Sequence, residues 1–155
     1  MIDDILRHRD EHLALIAPAQ DARLTYAELG ARVDEVAEQL RKALGGKRRL
    51  VFLAPGPDLQ AVLLYLACLR ADLPVCLAEP QPEPLERLCR AYRPELVLAP
   101  DTMATPEGWT PGAACPPGYF AALADRSVEH VLHPGLALLL TTSGSTGSPK
   151  LVRLT

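Results

Sequence analysis

Residues Thr142-Ser-Gly-Ser-Thr-Gly-Ser-Pro-Lys150 carry the densest chemistry in the chain. Gly144 and Gly147 can take positive φ and leave backbone N–H groups uncovered. Successive N–H groups in such a turn form a concave anion site. Thr142, Ser143, Ser145 and Thr146 add hydroxyl donors, Pro149 stiffens the exit, and Lys150 supplies a full positive charge. These are the parts needed to hold a polyphosphate.

The run is not a Walker-type phosphate loop, which needs Gly-Lys-Ser/Thr entering a helix. Pro149 separates the last glycine from the lysine, and Leu151 stands where a magnesium-binding hydroxyl would be. The flanks, Leu136-Ala-Leu-Leu-Leu140 and Leu151-Val-Arg-Leu154, read as strands, so the turn is expected at the tip of a β-hairpin. A Ser/Gly linker would not be expected to hold this order between two strand-like runs.

The elements ahead of the loop alternate. Leu13–Ile16, Pro18–Asp21 and Arg23–Thr25 read as strand, turn and strand. Thr25-Tyr-Ala-Glu28 has the spacing of a capping box. Leu29, Val33, Val36, Ala37, Leu40 and Leu44 then recur at helical spacing, with Gly45 closing the helix. Leu50–Leu53 reads as a buried strand, and Asp58 as the cap of a helix over Leu59–Ala71 that is apolar on nearly every face. Val75–Leu77 follows as a strand. Pro80, Pro82 and Pro84 lead to a helix over Leu85–Tyr92, which Pro94 ends, and Glu95–Ala99 is the next strand. Asp101–Gly118 reads as a surface excursion, and Tyr119–Ala124 as a turn or two of helix. Leu136–Thr141 feeds the loop. The pattern predicts an α/β fold with a mostly parallel sheet flanked by helices, joined by right-handed crossovers.

Thr142 to Lys150 resembles the signature loop of the acyl-adenylate-forming enzymes, the AMP-dependent synthetase/ligase family of acyl-CoA synthetases, peptide-synthetase adenylation domains and luciferases. Their pattern is Thr-Ser-Gly-Ser/Thr-Thr-Gly-x-Pro-Lys-Gly. Leu151 stands where the family usually has Gly, and Thr141 where an aromatic is common. Leu24-Thr-Tyr-Ala-Glu-Leu29 and Arg93-Pro-Glu-Leu-Val-Leu98 also resemble family segments. Leu66 to Pro80 is similar to a third, with Asp72 in place of Gly and Glu79 in place of Asp. These three segments are expected to be scaffold.

The resemblance implies that residues 1–155 are the N-terminal part of an AMP-binding adenylation domain. It implies that the parent enzyme joins a small-molecule carboxylic acid to AMP, using ATP with Mg2+ and releasing pyrophosphate. The acceptor would be a thiol of coenzyme A or of a phosphopantetheine on an acyl or peptidyl carrier protein. Thr142, Ser143, Ser145 and Thr146 would donate hydroxyls, Gly144 and Gly147 would allow close backbone approach, and Lys150 would neutralise the leaving pyrophosphate. The family's adenine, ribose and acid sites and its C-terminal catalytic lysine lie farther along. The isolated piece is therefore expected to be inactive and to self-associate through apolar surface left open. The other reading of the residues is a non-catalytic α/β module for protein interaction or phosphate binding.

Composition narrows the partners. The chain has 155 residues, 48% of them hydrophobic, and a formal net charge of −3. That suits one domain with a real core. The only basic run, Lys47-Arg48-Arg49, reads as a solvated loop, so no nucleic-acid surface is expected. The N-terminus lacks a signal-peptide pattern and Leu59–Leu69 is too short to span a bilayer, so no membrane association is expected. Cys68, Cys76, Cys89 and Cys115 form no Cys-x-x-Cys pair, and neither His8/His12 nor His130/His133 has completing ligands. No metal centre is expected, and reduced thiols fit a cytoplasmic protein.

Overall fold

A computed structural model describes residues 10–126, 128, 130–141 and 150–154. Strands β1 (Leu13–Ala17) and β2 (Ala22–Thr25) form an antiparallel hairpin of their own. The other seven strands form one sheet: β3 (Val51–Leu53), β4 (Val75–Leu77), β5 (Leu96–Pro100), β6 (Trp109–Ala113), β7 (Tyr119–Ala124), β8 (Leu138–Thr141) and β9 (Leu151–Leu154). Their order is β6-β7-β5-β3-β4-β8-β9. The centre, β5-β3-β4-β8, is parallel, and the flanking pairs β5–β7, β6–β7 and β8–β9 are antiparallel.

Among the described residues, three α-helices cover the sheet. α1 (Tyr26–Ala43) and α2 (Leu59–Arg70) lie on one face with Val51, Leu53, Val75, Leu96 and Leu98. α3 (Pro82–Tyr92) lies on the other with Phe52, Cys76, Val97 and Ala99. Both faces are buried, which is why these strands read as unbroken apolar runs. α1 begins with the full capping box: Glu28 N–H donates to Thr25 Oγ1 at 3.2 Å, and Thr25 N–H to Glu28 Oε2 at 2.9 Å. It ends in a Schellman motif, Gly46 N–H to Arg41 O at 2.8 Å and Gly45 N–H to Lys42 O at 3.1 Å, with Gly45 at φ +62°. Arg70 ties the two helices through Asp34 at 2.9 Å.

Several expectations are corrected. Tyr119–Ala124 is a strand: it supplies β5 with hydrogen-bond partners that a helical turn could not. Part of the presumed surface excursion is edge strand β6, where Pro111, with no N–H to give, is tolerated at the rim. α3 starts at Pro82, a turn earlier than its apolar spacing suggested, because proline is accommodated in a helix's first turn. The basic run is not simply solvated. Arg49, 15% exposed, faces buried Glu95 at 3.6 Å. Glu95 Oε2 also accepts from Leu50 N–H at 3.0 Å. Arg48 Nε reaches Asp72 at 3.1 Å, and its two terminal nitrogens donate to the carbonyls of His133, Pro134 and Leu136. That clamp fixes the entry to β8.

Cys68, Cys76 and Cys89 are buried and Cys115 is half-buried; all four are free thiols. Burial pushes each thiol up to about 12.

Candidate phosphate site at the carboxyl edge of the sheet

The chain leaves β3 towards α2 on one face and leaves β4 towards α3 on the other. A crevice outside the carboxyl ends of these strands follows from that reversal, the usual ligand position in open α/β sheets. β8 lies next to β4 in parallel register, Leu77 opposite Leu140. Its carboxyl end therefore opens beside this crevice.

β8 and β9 form the expected hairpin, closed by the pair Thr141 and Leu151. Residues 142–149 lie outside the described residues, and with them Thr142, Ser143, Gly144, Ser145, Thr146 and Gly147. Lys150 is described: it is exposed, immediately before β9. No helix starts there, which separates this hairpin from a Walker-type loop. Exposed Glu79, Pro80 and Gln81 follow the neighbouring strand β4.

The other wall is braced by residues whose joint role the sequence did not reveal. Asp58 Oδ1 accepts from Ala61 N–H at 2.8 Å and caps α2. Its Oδ2 accepts from Tyr119 Oη at 3.0 Å, and the same Oη accepts from Gly56 N–H at 2.7 Å. Burial, the largest influence, pushes the Tyr119 phenol up to about 12; the Gly56 N–H opposes that shift, and Asp58 adds to it. A Cβ at position 56 would sit 2.5 Å from Asp58 Oδ2 and 3.0 Å from Tyr119 Oη, so glycine alone fits this close turn. The Pro55-Gly-Pro57 spacing was a local signal for the turn; the reach of Tyr119 across the sheet left none.

Among the described residues, no group of three or more His, Cys, Asp or Glu side chains could hold a metal ion, and no helix is long and apolar enough to cross a membrane. His130 Nε2 instead lies 2.8 Å from Arg93 O, and Gly135 N–H donates to His133 Nδ1 at 3.1 Å.

Comparison with known proteins agrees with this fold. The family model for AMP-binding enzymes matches residues 3–155, so the chain belongs to the AMP-binding enzyme family. It is 32% identical to a fatty acid–[acyl-carrier-protein] ligase, MmaC, of Mycobacterium marinum, over 96% of this chain and 31% of that protein. It is 27% identical to a linear gramicidin synthase polypeptide of Brevibacillus parabrevis, over 99% of this chain and 3% of that one. The fold matches apo MatB from Rhodopseudomonas palustris with a TM-score of 0.70, at 22% identity, covering 99% of this chain and 34% of MatB. It matches O-succinylbenzoate coenzyme A synthetase (MenE) of Bacillus subtilis, solved with AMP, with a TM-score of 0.67 at 21% identity, covering 99% and 41%. The chain thus spans about a third of the ligase's length.

Proposed function

We propose that residues 1–155 form the N-terminal, phosphate-loop part of an adenylation domain. That domain would activate a carboxylic acid with ATP, giving acyl-AMP and pyrophosphate. The observation that carries this reading is the antiparallel pairing of β8 with β9, closed by Thr141 and Leu151, with β8 parallel to β4 at the carboxyl edge of the sheet. Family membership supports the chemistry. In this reading the hydroxyls of Thr142, Ser143, Ser145 and Thr146 and the loop N–H groups bind the β- and γ-phosphates. Lys150 meets charge that builds on pyrophosphate as the acyl oxygen attacks the α-phosphorus. The phosphate oxygens of ATP would hold magnesium, which would offset part of their charge. The activated acyl group then passes to a thiol of coenzyme A or of a carrier-protein phosphopantetheine. The relatedness to an acyl-carrier-protein ligase and a peptide synthetase favours the carrier protein.

Two assays test the reading. The 155-residue chain is expected to show no carboxylate-dependent ATP–pyrophosphate exchange, because phosphate binding without a positioned acid forgoes most of the rate enhancement. In an adenylating enzyme that contains this chain, Lys150→Ala slows exchange about tenfold or more while the fold persists, as expected for one lost transition-state donor. Unchanged exchange in that variant removes Lys150 from the mechanism. The chain also leaves Val152 and Leu154 about half exposed on edge strand β9. Self-association through that edge is expected, and a monomer by light scattering at high concentration counts against it.

A further inference from the structure

A second hollow lies at the opposite end of the sheet, where α3 turns into β5 and where β6 begins and β7 ends. It measures about 440 Å³. Its apolar lining residues are Trp109 and Ala124, paired across the β6–β7 ladder, with Gly108 beside them. The indole is fixed, because Nε1 donates to Pro94 O at 2.9 Å. Arg90, Arg93 and Arg126 line the same space, with Glu107 and Asp125.

The charges are not equally committed. Arg90 is held by Glu86 at 3.0 Å and Glu107 at 3.1 Å. Asp125 accepts the Thr110 hydroxyl at 2.6 Å. Among the described residues, neither the Arg93 nor the Arg126 guanidinium has a carboxylate or carbonyl partner. Arg93 is also held in an unusual backbone. Its φ is +48°, a left-handed conformation in a residue that is not glycine and that precedes a proline. Its N–H donates to Cys89 O at 2.8 Å, and its carbonyl receives His130 Nε2. This is the left-handed cap that closes α3, and it fixes the backbone from which the Arg93 side chain leaves.

We propose that this hollow binds a small oxyanion carried on a flat apolar body, an aryl carboxylate or aryl phosphate. The anion would be held by Arg93 and Arg126, with its ring against Trp109. Guanidinium forks suit the paired oxygens of either anion, and a fixed indole suits a ring. The site lies at the amino end of β5, away from the crevice beside residue 141, and does not depend on the adenylation reading.

Trp109 is the only tryptophan of the chain, so its fluorescence and its indole N–H resonance report this hollow alone. The probes are phenyl phosphate, benzoate, inorganic phosphate and, as the uncharged counterpart, benzyl alcohol. Both aryl oxyanions are expected to give saturable changes, the phosphate the tighter, with inorganic phosphate weaker than phenyl phosphate. Arg126→Gln and Arg93→Gly should each weaken phenyl phosphate about tenfold, one charge-assisted hydrogen bond apiece. Glycine at 93 keeps the left-handed backbone, so the loss reads the side chain. Arg32→Gln, on the exposed surface of α1, should leave the curve unchanged. Raising ionic strength from about 0.01 M to about 0.1 M should weaken every anion, since the screening length falls from about 30 Å to about 10 Å. No saturable change with phenyl phosphate overturns the proposal. So does undiminished binding in both arginine variants, or benzyl alcohol binding as tightly as benzoate.

Discussion

Replacing Arg48 with methionine should loosen β8, the strand that leads to residue 142, by an amount the structure allows to be worked out. Methionine keeps the aliphatic stem and removes the guanidinium. The contact with Asp72, whose side chain is 80% exposed, is worth at most about 1 kcal/mol. The carbonyls of His133 and Pro134 are bonded at exposed positions and regain water, so each costs about 0.5 kcal/mol. The bond to the Leu136 carbonyl is half-buried, and leaving it without a donor costs about 1–2 kcal/mol. The sum is about 2–4 kcal/mol. For a domain of this size each kcal/mol moves Tm by about 2–4 °C, so Arg48→Met should melt roughly 4–16 °C lower. Arg48→Lys should recover less than half, because an ammonium cannot spread over three carbonyls and a carboxylate as a planar fork does. Hydrogen exchange adds position: β8 amides should lose more protection than those of α1. A Tm change under about 2 °C, or exchange that rises evenly over the chain, refutes the clamp.

Two further outcomes follow from buried groups. Glu95→Gln keeps the acceptor for Leu50 N–H but removes the charge 3.6 Å from Arg49, and should cost about 1–3 kcal/mol in urea unfolding; no measurable loss contradicts the pairing. Tyr119 is raised from 10 to about 12, so folding favours its neutral form. Its contribution is full below pH 10 and lost as pH rises through about 12. The three buried thiols and half-buried Cys115, raised from 9 to about 12, act in the same direction from pH 9. Stability should fall above about pH 9, less steeply in Tyr119→Phe than in the wild type, and equal slopes would exclude Tyr119.

What was legible in the sequence was what local rules determine. The Thr25–Glu28 box, the helical spacing of α1, the Asp58 cap and the hairpin flanks are all set within a few residues. The centre of the sheet was legible because strands buried on both faces need continuous apolar runs. β6 and β7 were not, since Tyr119–Ala124 becomes a strand only by pairing with β5, a contact no local pattern encodes. Asp72 shows the reverse. It stands where the family pattern has glycine, and its φ is +56°. Its N–H bonds Leu69 O at 3.2 Å, and Leu73 N–H bonds Cys68 O at 2.9 Å, the Schellman closure of α2. The glycine of the pattern is a backbone requirement, which aspartate meets with some strain while also engaging Arg48. The basic run misled because the distant partners of Arg48 and Arg49 cannot be seen in composition. Beside the candidate site, the pairing of β8 with β9 was legible, while the bracing of the far wall by Tyr119 was not.

Whether residues 142–150 hold a polyphosphate at the carboxyl edge of the sheet can be read by amide NMR of the 155-residue chain, titrated with magnesium ATP. Weak, saturable shifts are expected, with Kd about 1 mM or above. They should be confined to 142–150 and to the neighbouring 78–81 segment, and reduced by salt and by Lys150→Ala. No shifts in 142–150 at saturating nucleotide, or shifts that Lys150→Ala leaves intact, would contradict a phosphate-binding role for the hairpin.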